Sequence, residues 1–170
     1  MSIFPAKLLK NADDGNQRIK IPAGYRYQHI VSIGDTDITR NVYFTKYLEW
    51  LGYAREAMFL SKVSPDKILS GKIVMVTKNT AIAYLQEYQL YDTANLFVTM
   101  SKVSRTSAKL FFRYFNQELD RLCAVAKQLI ITTDLNGKPT VIPPEFLELT
   151  AHYHEENEIE LNAHLLKRMF

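Results

Sequence analysis

The chain has 170 residues, 47% of them hydrophobic and 23% charged, with a net charge of +3. That is one domain with a buried core, too short for two catalytic domains in series and too apolar for a disordered chain. The charge makes no demand for a nucleic-acid partner and suits an anionic ligand. No apolar run reaches the roughly 18–20 residues of a membrane span. The start, Met1 to Lys7, lacks the apolar stretch of a secretory signal. The single Cys123 cannot make an internal disulfide, which fits a cytoplasmic location.

Residues 1–24 have weak periodicity, a turn cluster from Asn11 to Asn16 and Pro22, and read as an N-terminal arm. From Tyr25 the pattern alternates strictly. Tyr25, Tyr27, His29, Val31 and Ile33 share one face and Arg26, Gln28, Ile30 and Ser32 the other, which is a strand. Gly34-Asp35-Thr36-Asp37 stops it with turn formers. The period then becomes helical, with Phe44, Tyr47, Leu48, Leu51, Ala54 and Met58 on one apolar stripe. This predicts a helix from about Tyr43 to about Ser61, with Pro65 beyond its end.

Lys72 to Ile142 reads as strand throughout. Ile73 to Gln89 is one bent strand or two in succession, and Leu96–Met100 and Leu110–Tyr114 alternate. Cys123 to Thr133 is an apolar strand interrupted at Lys127-Gln128. The breaks between these strands are short enough for hairpins, and Asn136-Gly137-Lys138-Pro139 is a further turn. The chain from Pro144 to Phe170 is expected to be part helical, with a solvated acidic middle at Glu155 to Glu158; residues 150–170 form a C-terminal tail. One long amphipathic helix with four or more antiparallel strands packs compactly as a sheet curled around the helix. This α+β arrangement is the hotdog fold.

Two places could carry chemistry. Arg55 falls about 40° from the centre of the apolar stripe, between Leu51 and Met58. It is either a snorkelling arginine or a guanidinium aimed into a cleft at a developing oxyanion. The loop Gly34 to Asn41 lies directly ahead of the helix. Its Asp and Thr residues are ordinary caps, or a carboxylate set beside first-turn N–H groups that can polarise a carbonyl. There is no Gly-rich phosphate loop and no Gly-x-Ser-x-Gly elbow. Cys123 reads as inert core, and His152 with His154 as a surface pair; no metal site is expected.

The run Gly34-Asp35-Thr36-Asp37, with Val42, Tyr43, Phe44, Tyr47 and Trp50, resembles the first loop and helix of the 4-hydroxybenzoyl-CoA thioesterase-like hotdog family. Asn41-Val42-Tyr43-Phe44, Tyr47-Leu48-Glu49-Trp50 and Gly52-Tyr53-Ala54-Arg55-Glu56 are still more similar to the hotdog thioesterases of enediyne polyketide pathways. Tyr84, Glu87, Asp92 and Gln128, taken to lie in the penultimate strand, continue that likeness, and Ile142 to Leu149 is similar to the family's C-terminal ending. The resemblance covers about residues 25–149, which sets the expected domain.

By position, the resemblance puts Asp37 on the family's catalytic aspartate, with Asn41 in the same loop counted among the catalytic candidates. It puts the backbone N–H of Phe44 on the thioester carbonyl and Arg55 on an arginine used by the enediyne-pathway enzymes. Lys102 and Arg105 match positions that hold the nucleotide phosphates of coenzyme A. Enediyne-pathway members have asparagine at the place of Asp37; the 4-hydroxybenzoyl-CoA enzyme has glycine at the place of Arg40 and no equivalent of Arg55. The chain thus joins the carboxylate of one branch to the arginine of the other. A third branch uses a helix glutamate, but Glu49 and Glu56 fall on the polar face.

The implied activity is hydrolysis of an acyl thioester of coenzyme A or an acyl carrier protein, such as a polyketide or fatty acyl chain. Tyr47, Leu51 and Met58 are expected to line the acyl tunnel. No cofactor is expected beyond the coenzyme A or phosphopantetheine of the substrate. The implied partners are an acyl carrier protein or polyketide synthase and further copies of the chain, paired sheet edge to sheet edge as a homodimer or homotetramer with sites between protomers. The rival readings are a hotdog dehydratase, hydratase or acyltransferase, and a non-catalytic acyl-binding module.

Overall fold

The computed structural model describes residues 24–70, 74–102 and 104–154. The predicted arm, up to residue 23, and the tail from 155 onward, with its acidic stretch, lie outside these residues. The described chain runs β1 (Tyr25–Ile30), α1 (Phe44–Leu60), α2 (Pro65–Leu69), β2 (Val74–Tyr84), β3 (Thr93–Lys102), β4 (Ser107–Phe115), β5 (Leu122–Thr133) and α3 (Pro144–His152). The strands form one five-stranded antiparallel sheet in the order β1-β3-β4-β5-β2. This is the α+β hotdog architecture expected from the pattern.

The alternation that marks each strand decides which side chains meet the helix. Leu96, Val98 and Met100 of β3, Leu110, Phe112 and Tyr114 of β4, and Ala124, Ala126 and Ile130 of β5 join the core around α1. Their register partners confirm the phase, with Leu96 opposite Tyr114, Val98 opposite Phe112 and Phe112 opposite Ala126. Hairpins join β3 to β4 and β4 to β5, and Asp134 closes the next turn by accepting from the Asn136 and Lys138 amides. Gly137 takes a φ of 79° there, a conformation that glycine adopts without strain.

The stretch after Lys72 takes the first of its two expected forms, one strand, β2, bent by a register slip between Thr77 and Asn79, but it leaves the sheet after Tyr84 rather than running to Gln89. Three further details differ from the sequence expectation. Strand β5 is unbroken at Lys127-Gln128, because those residues take opposite faces and Gln128 is buried. It is also the last strand of the chain, so Gln128 does not lie in a penultimate one. The short helix α2 has a serine before a proline at its first turn, a start signal passed over because the segment is so short.

The buried side of α1 is also turned from the predicted stripe. Tyr47, Trp50, Leu51, Ala54, Met58 and Phe59 are buried, while Phe44 and Leu48 are 52% and 40% exposed. Trp50 causes the turn. Its ring lies 4.6 Å from His29 of β1 and 5.5 Å from Tyr47, and it also meets Tyr88 edge-on. Burying each large side chain contributes about 1.5–3 kcal/mol, so the tryptophan draws the apolar face towards β1. Phe44, Leu48 and Arg55 are left along one flank of the helix, facing β2. No helix among the described residues is long and apolar enough to cross a membrane.

Candidate active site

Ahead of α1 the chain makes a 3-10 turn at Ile33–Asp35 and then a tight hairpin in which Thr36 bridges Val42. The Asp37 amide donates to the Asn41 carbonyl at 2.9 Å, and the Arg40 amide to the Asp37 carbonyl at 3.0 Å. Arg40 adopts a φ of 67° to complete the turn. Asn41 also bridges Gln89, and the Val42 amide donates to the Tyr88 carbonyl, so the hairpin is tied to the segment between β2 and β3.

Two carboxylates arise from this loop. Asp35 is buried, and its Oδ2 accepts from the Ser32 amide (2.8 Å) and the Ser32 hydroxyl (2.7 Å) and lies 3.0 Å from His29 Nε2. Lys46 Nζ stands 3.9 Å from its other oxygen. Burial pushes this carboxyl up, but the hydrogen bonds from His29 and Ser32 outweigh it and bring the pKa down to about 2. The Asp35 carbonyl meanwhile accepts the Tyr43 amide, which fixes the approach to the helix. Asp35 was not singled out from the sequence, although Ser32-Ile33-Gly34-Asp35 has the Ser-x-x-Asp spacing of a capping box.

Asp37 is exposed. Its Oδ1 accepts from the Thr39 hydroxyl at 2.5 Å and the Thr39 amide at 2.8 Å, and these bonds lower its pKa. Oδ2 has no hydrogen-bond partner among the described residues, so one oxygen of an ionised carboxylate stays available. Just beyond, the N-terminus of α1 has no side-chain cap, and its first turn has no acidic residue. Tyr43, at the cap position, has no group that could serve, so the Phe44 N–H is left for another acceptor. Asp37 and Asn41 thus pair across the hairpin, and Phe44 opens the helix three residues after Asn41.

Arg55 lies elsewhere. It is about 16 Å further along the helix than Phe44, at ~1.5 Å per residue. Its Nη1 donates to Gln128 Oε1 at 2.7 Å and to Thr77 Oγ1 at 3.0 Å, and Gln128 Nε2 donates to Thr80 Oγ1 at 3.0 Å. Of the two sequence readings, simple snorkelling is the poorer fit, because the head is anchored on neutral acceptors of β2 and β5. Burial lowers the pKa of this guanidinium.

Lys102 and Arg105 are exposed at the far end of β3, about 30 Å from the end of that strand beside the Asp37 loop. Tyr47, Leu51 and Met58 are packed in the core rather than beside open space, and the Tyr47 ring meets those of Trp50, Tyr84, Tyr88 and Tyr114. The residues that line accessible space on α1 are instead Phe44 and Leu48. Tyr84 closes that strip by donating its hydroxyl to the Phe44 carbonyl at 3.1 Å. The candidate residues therefore form two clusters at the ends of one flank, with Lys102 level in register with Thr77 but three strands away across the sheet.

The remaining groups are structural or peripheral. Glu49 and Glu56 are exposed, Glu49 being held by Lys46 and Tyr53. Cys123 is buried, which pushes its thiol pKa up. His152 ends α3 against the Tyr153 ring, and no cluster among the described residues could hold a metal ion. An Asp–His pair does form, between Asp35 and His29, and was hidden because His29 belongs to β1 rather than to the loop.

The sequence profile of the thioesterase-like superfamily matches residues 31–149. No curated protein matches the sequence. Among solved structures, the dynemicin thioesterase, described with bound polyene, is 21% identical with a TM-score of 0.70, covering 76% of this chain and 96% of its own. A 1,4-dihydroxy-2-naphthoyl-CoA thioesterase from Synechocystis is 19% identical with a TM-score of 0.69, covering 75% and 95%. A Staphylococcus aureus protein solved in complex with CoA is 16% identical with a TM-score of 0.70, covering 82% and 87%.

Proposed function

The chain belongs to the thioesterase-like superfamily, and from that premise we propose that it hydrolyses an acyl thioester to the free acid and thiol. The observation that carries this reading is the uncapped N-terminus of α1 directly after the hairpin that holds an ionised, exposed Asp37. The Phe44 N–H polarises the thioester carbonyl and stabilises the oxyanion that develops on it. Asp37 Oδ2 either attacks the carbonyl carbon or draws a proton from the attacking water. In both routes the C–S bond breaks, the thiolate takes a proton, and water supplies the oxygen of the acid. Thr39 keeps the carboxylate ionised and aimed, while Asn41 holds the hairpin closed.

The two separate clusters support a site completed by a second copy. Strand β2 is an edge strand, exposed from Val76 to Thr80. Tyr84 marks the Phe44 end of the α1 flank and Thr77 marks the Arg55 end. Antiparallel pairing of two β2 edges about Thr80 and Ala81 sets Thr77 of one copy opposite Tyr84 of the other. Arg55 of one chain then faces the Phe44 N–H of its partner, where its charge adds to oxyanion stabilisation. Phe44 and Leu48 line the strip between them and take the acyl chain in place of Tyr47, Leu51 and Met58. Lys102 and Arg105 remain the proposed coenzyme A phosphate contacts, reaching a site only from another chain.

The likeness to the dynemicin and naphthoyl-CoA enzymes suits a polyene or aromatic acyl group on coenzyme A or a carrier protein. The test is thiol release, followed colorimetrically, across acyl-CoA and acyl-carrier-protein thioesters. Turnover of at least one class is expected. The His29–Asp35 pair favours a second reading, hydration of a thioester-linked enoyl chain, although its Asp35 oxygen is already committed to Ser32. Loss of enoyl absorbance with no thiol release from any substrate would replace hydrolysis by that reaction.

A further inference from the structure

The sheet has a second face, turned away from α1, and its burial is unexplained by the described elements. Register places Phe97, Thr99, Phe111, Arg113 and Phe115 there, with Arg26 stacked over the Phe97 ring at 6.0 Å. These are not surface residues: Thr99 is 0% accessible, Phe115 2%, Arg113 and Phe97 5%, and Phe111 6%. Helix α1 packs on the opposite face, and α3 joins the same core through Phe146 and Leu149. Two stretches of the sequence outside the described residues are long enough to cover it, 1–23 and 155–170.

We propose that residues 155–170 form this cover, held to the outer face by acidic side chains over basic ones and by an apolar stripe over the three phenylalanines. The path begins in the right place. The Met100 amide donates to the Tyr153 carbonyl at 2.8 Å and His154 bridges Met100, so the chain is delivered alongside β3. The reach suffices: residues 155–170 span about 24 Å even at helical rise, against about 19 Å across five strands. Gly24 also lies against Val98 and Thr99, so position alone does not separate the two termini.

Charge does separate them. Register places Arg26, Lys109, Arg113 and Lys127 on this face, and the five strands carry no aspartate or glutamate. The C-terminal segment opens with Glu155-Glu156-Asn157-Glu158-Ile159-Glu160 against only Lys167 and Arg168, and Ile159, Ala163, Leu166 and Phe170 recur at helical spacing. The N-terminal segment brings Lys7, Lys10, Arg18 and Lys20 against only Asp13 and Asp14. A basic face with an aromatic centre selects the acidic, apolar-striped terminus. Covering it with the chain's own tail removes an apolar face that would otherwise stick to other molecules, and leaves the β2 edge for a second copy.

The test is zero-length carbodiimide coupling of carboxylates to amines on the full-length protein, read by mass spectrometry on a mixture of light and nitrogen-15-labelled chains. The Lys46–Glu49 and Lys67–Glu145 pairs serve as internal controls. The expected result is a link from Lys109 to one of Glu155, Glu156, Glu158 or Glu160, found only between peptides of the same label. Replacing those four glutamates by glutamine should abolish the link and leave the controls intact. A link from Lys109 to Asp13 or Asp14, links of mixed label, or control links with none from Lys109 would each overturn the proposal.

Discussion

Asp35 and Asp37 stand in one loop, on either side of Thr36, and their environments are opposite. Asp35 is buried with one oxygen committed to Ser32 and His29, while Asp37 is exposed with one oxygen unengaged among the described residues. Both stay ionised at neutral pH, so charge does not distinguish them. What distinguishes them is access. Asp35 is buried with Lys46 beside its second oxygen and holds the loop together, whereas the second oxygen of exposed Asp37 can meet a substrate.

The strongest way to break that comparison is Asp37→Asn. It keeps the Thr39 contacts through the amide oxygen and removes only the negative charge. The expected outcome is a fall in kcat of roughly 10²–10⁴ with the melting temperature nearly unchanged. A folded variant with near wild-type turnover would return the loop to a purely structural role and place the chain with relatives that work with asparagine there.

Arg55→Ala comes next, with an expected rate loss on the order of 10²–10³, the worth of one oxyanion-stabilising donor. Its sharper use is in complementation. Asp37→Asn and Arg55→Ala chains, separately almost inactive, are co-expressed with different tags. If the site lies between copies, a mixed dimer keeps one intact site, and random pairing restores about a quarter of wild-type activity. A mixture as inactive as its parents would show that the two residues do not meet across an interface.

The sheet and the long helix were legible in the sequence because each strand alternates cleanly and α1 carries the longest helical period. The errors came where a side chain answered to a distant neighbour. Lys127-Gln128 looked like a break because both are polar, yet one faces out and the other supports Arg55. Phe44 and Leu48 were counted as core, since nothing local announces that Trp50 stacks on a histidine of β1. Asp37 and Phe44 were found through resemblance, and their nearness follows from chain order. That Arg55 sits a helix length away could be computed from the spacing, but its partners on β2 and β5 depend on strand order, which no local pattern records.

Asp35 sharpens the comparison from the structural side. Its pKa is about 2 in the fold against 3.8 ordinarily, so its bonds add stability that is fully present above about pH 4. That stability disappears as pH falls towards 2, and amounts to about 2 kcal/mol. Asp35→Asn should lower the unfolding free energy by a similar amount at pH 7 and flatten the acid limb of a stability–pH curve. A variant that keeps the wild-type acid limb would mean that other carboxylates govern acid unfolding.

The smallest effect is expected at Gln128, which never touches substrate and acts through Arg55. Gln128→Leu removes the 2.7 Å acceptor of Arg55 Nη1 and the contact with Thr80, leaving the guanidinium on Thr77 alone. A hydrogen bond to a charged group is worth about 1.5–3 kcal/mol, and part of that is recovered if the arginine turns to water, so kcat should fall about tenfold. Loss of fold alone would lower activity too, so Gln128→Glu is the necessary companion. It restores an acceptor at the same place and should recover most of the rate while giving Arg55 a charged partner. In an Arg55→Ala background both Gln128 variants should then be silent, because the residue has nothing left to position. If Gln128→Leu still costs tenfold there, it acts on the sheet rather than on the arginine, and the Arg55 end of the flank is packing rather than site.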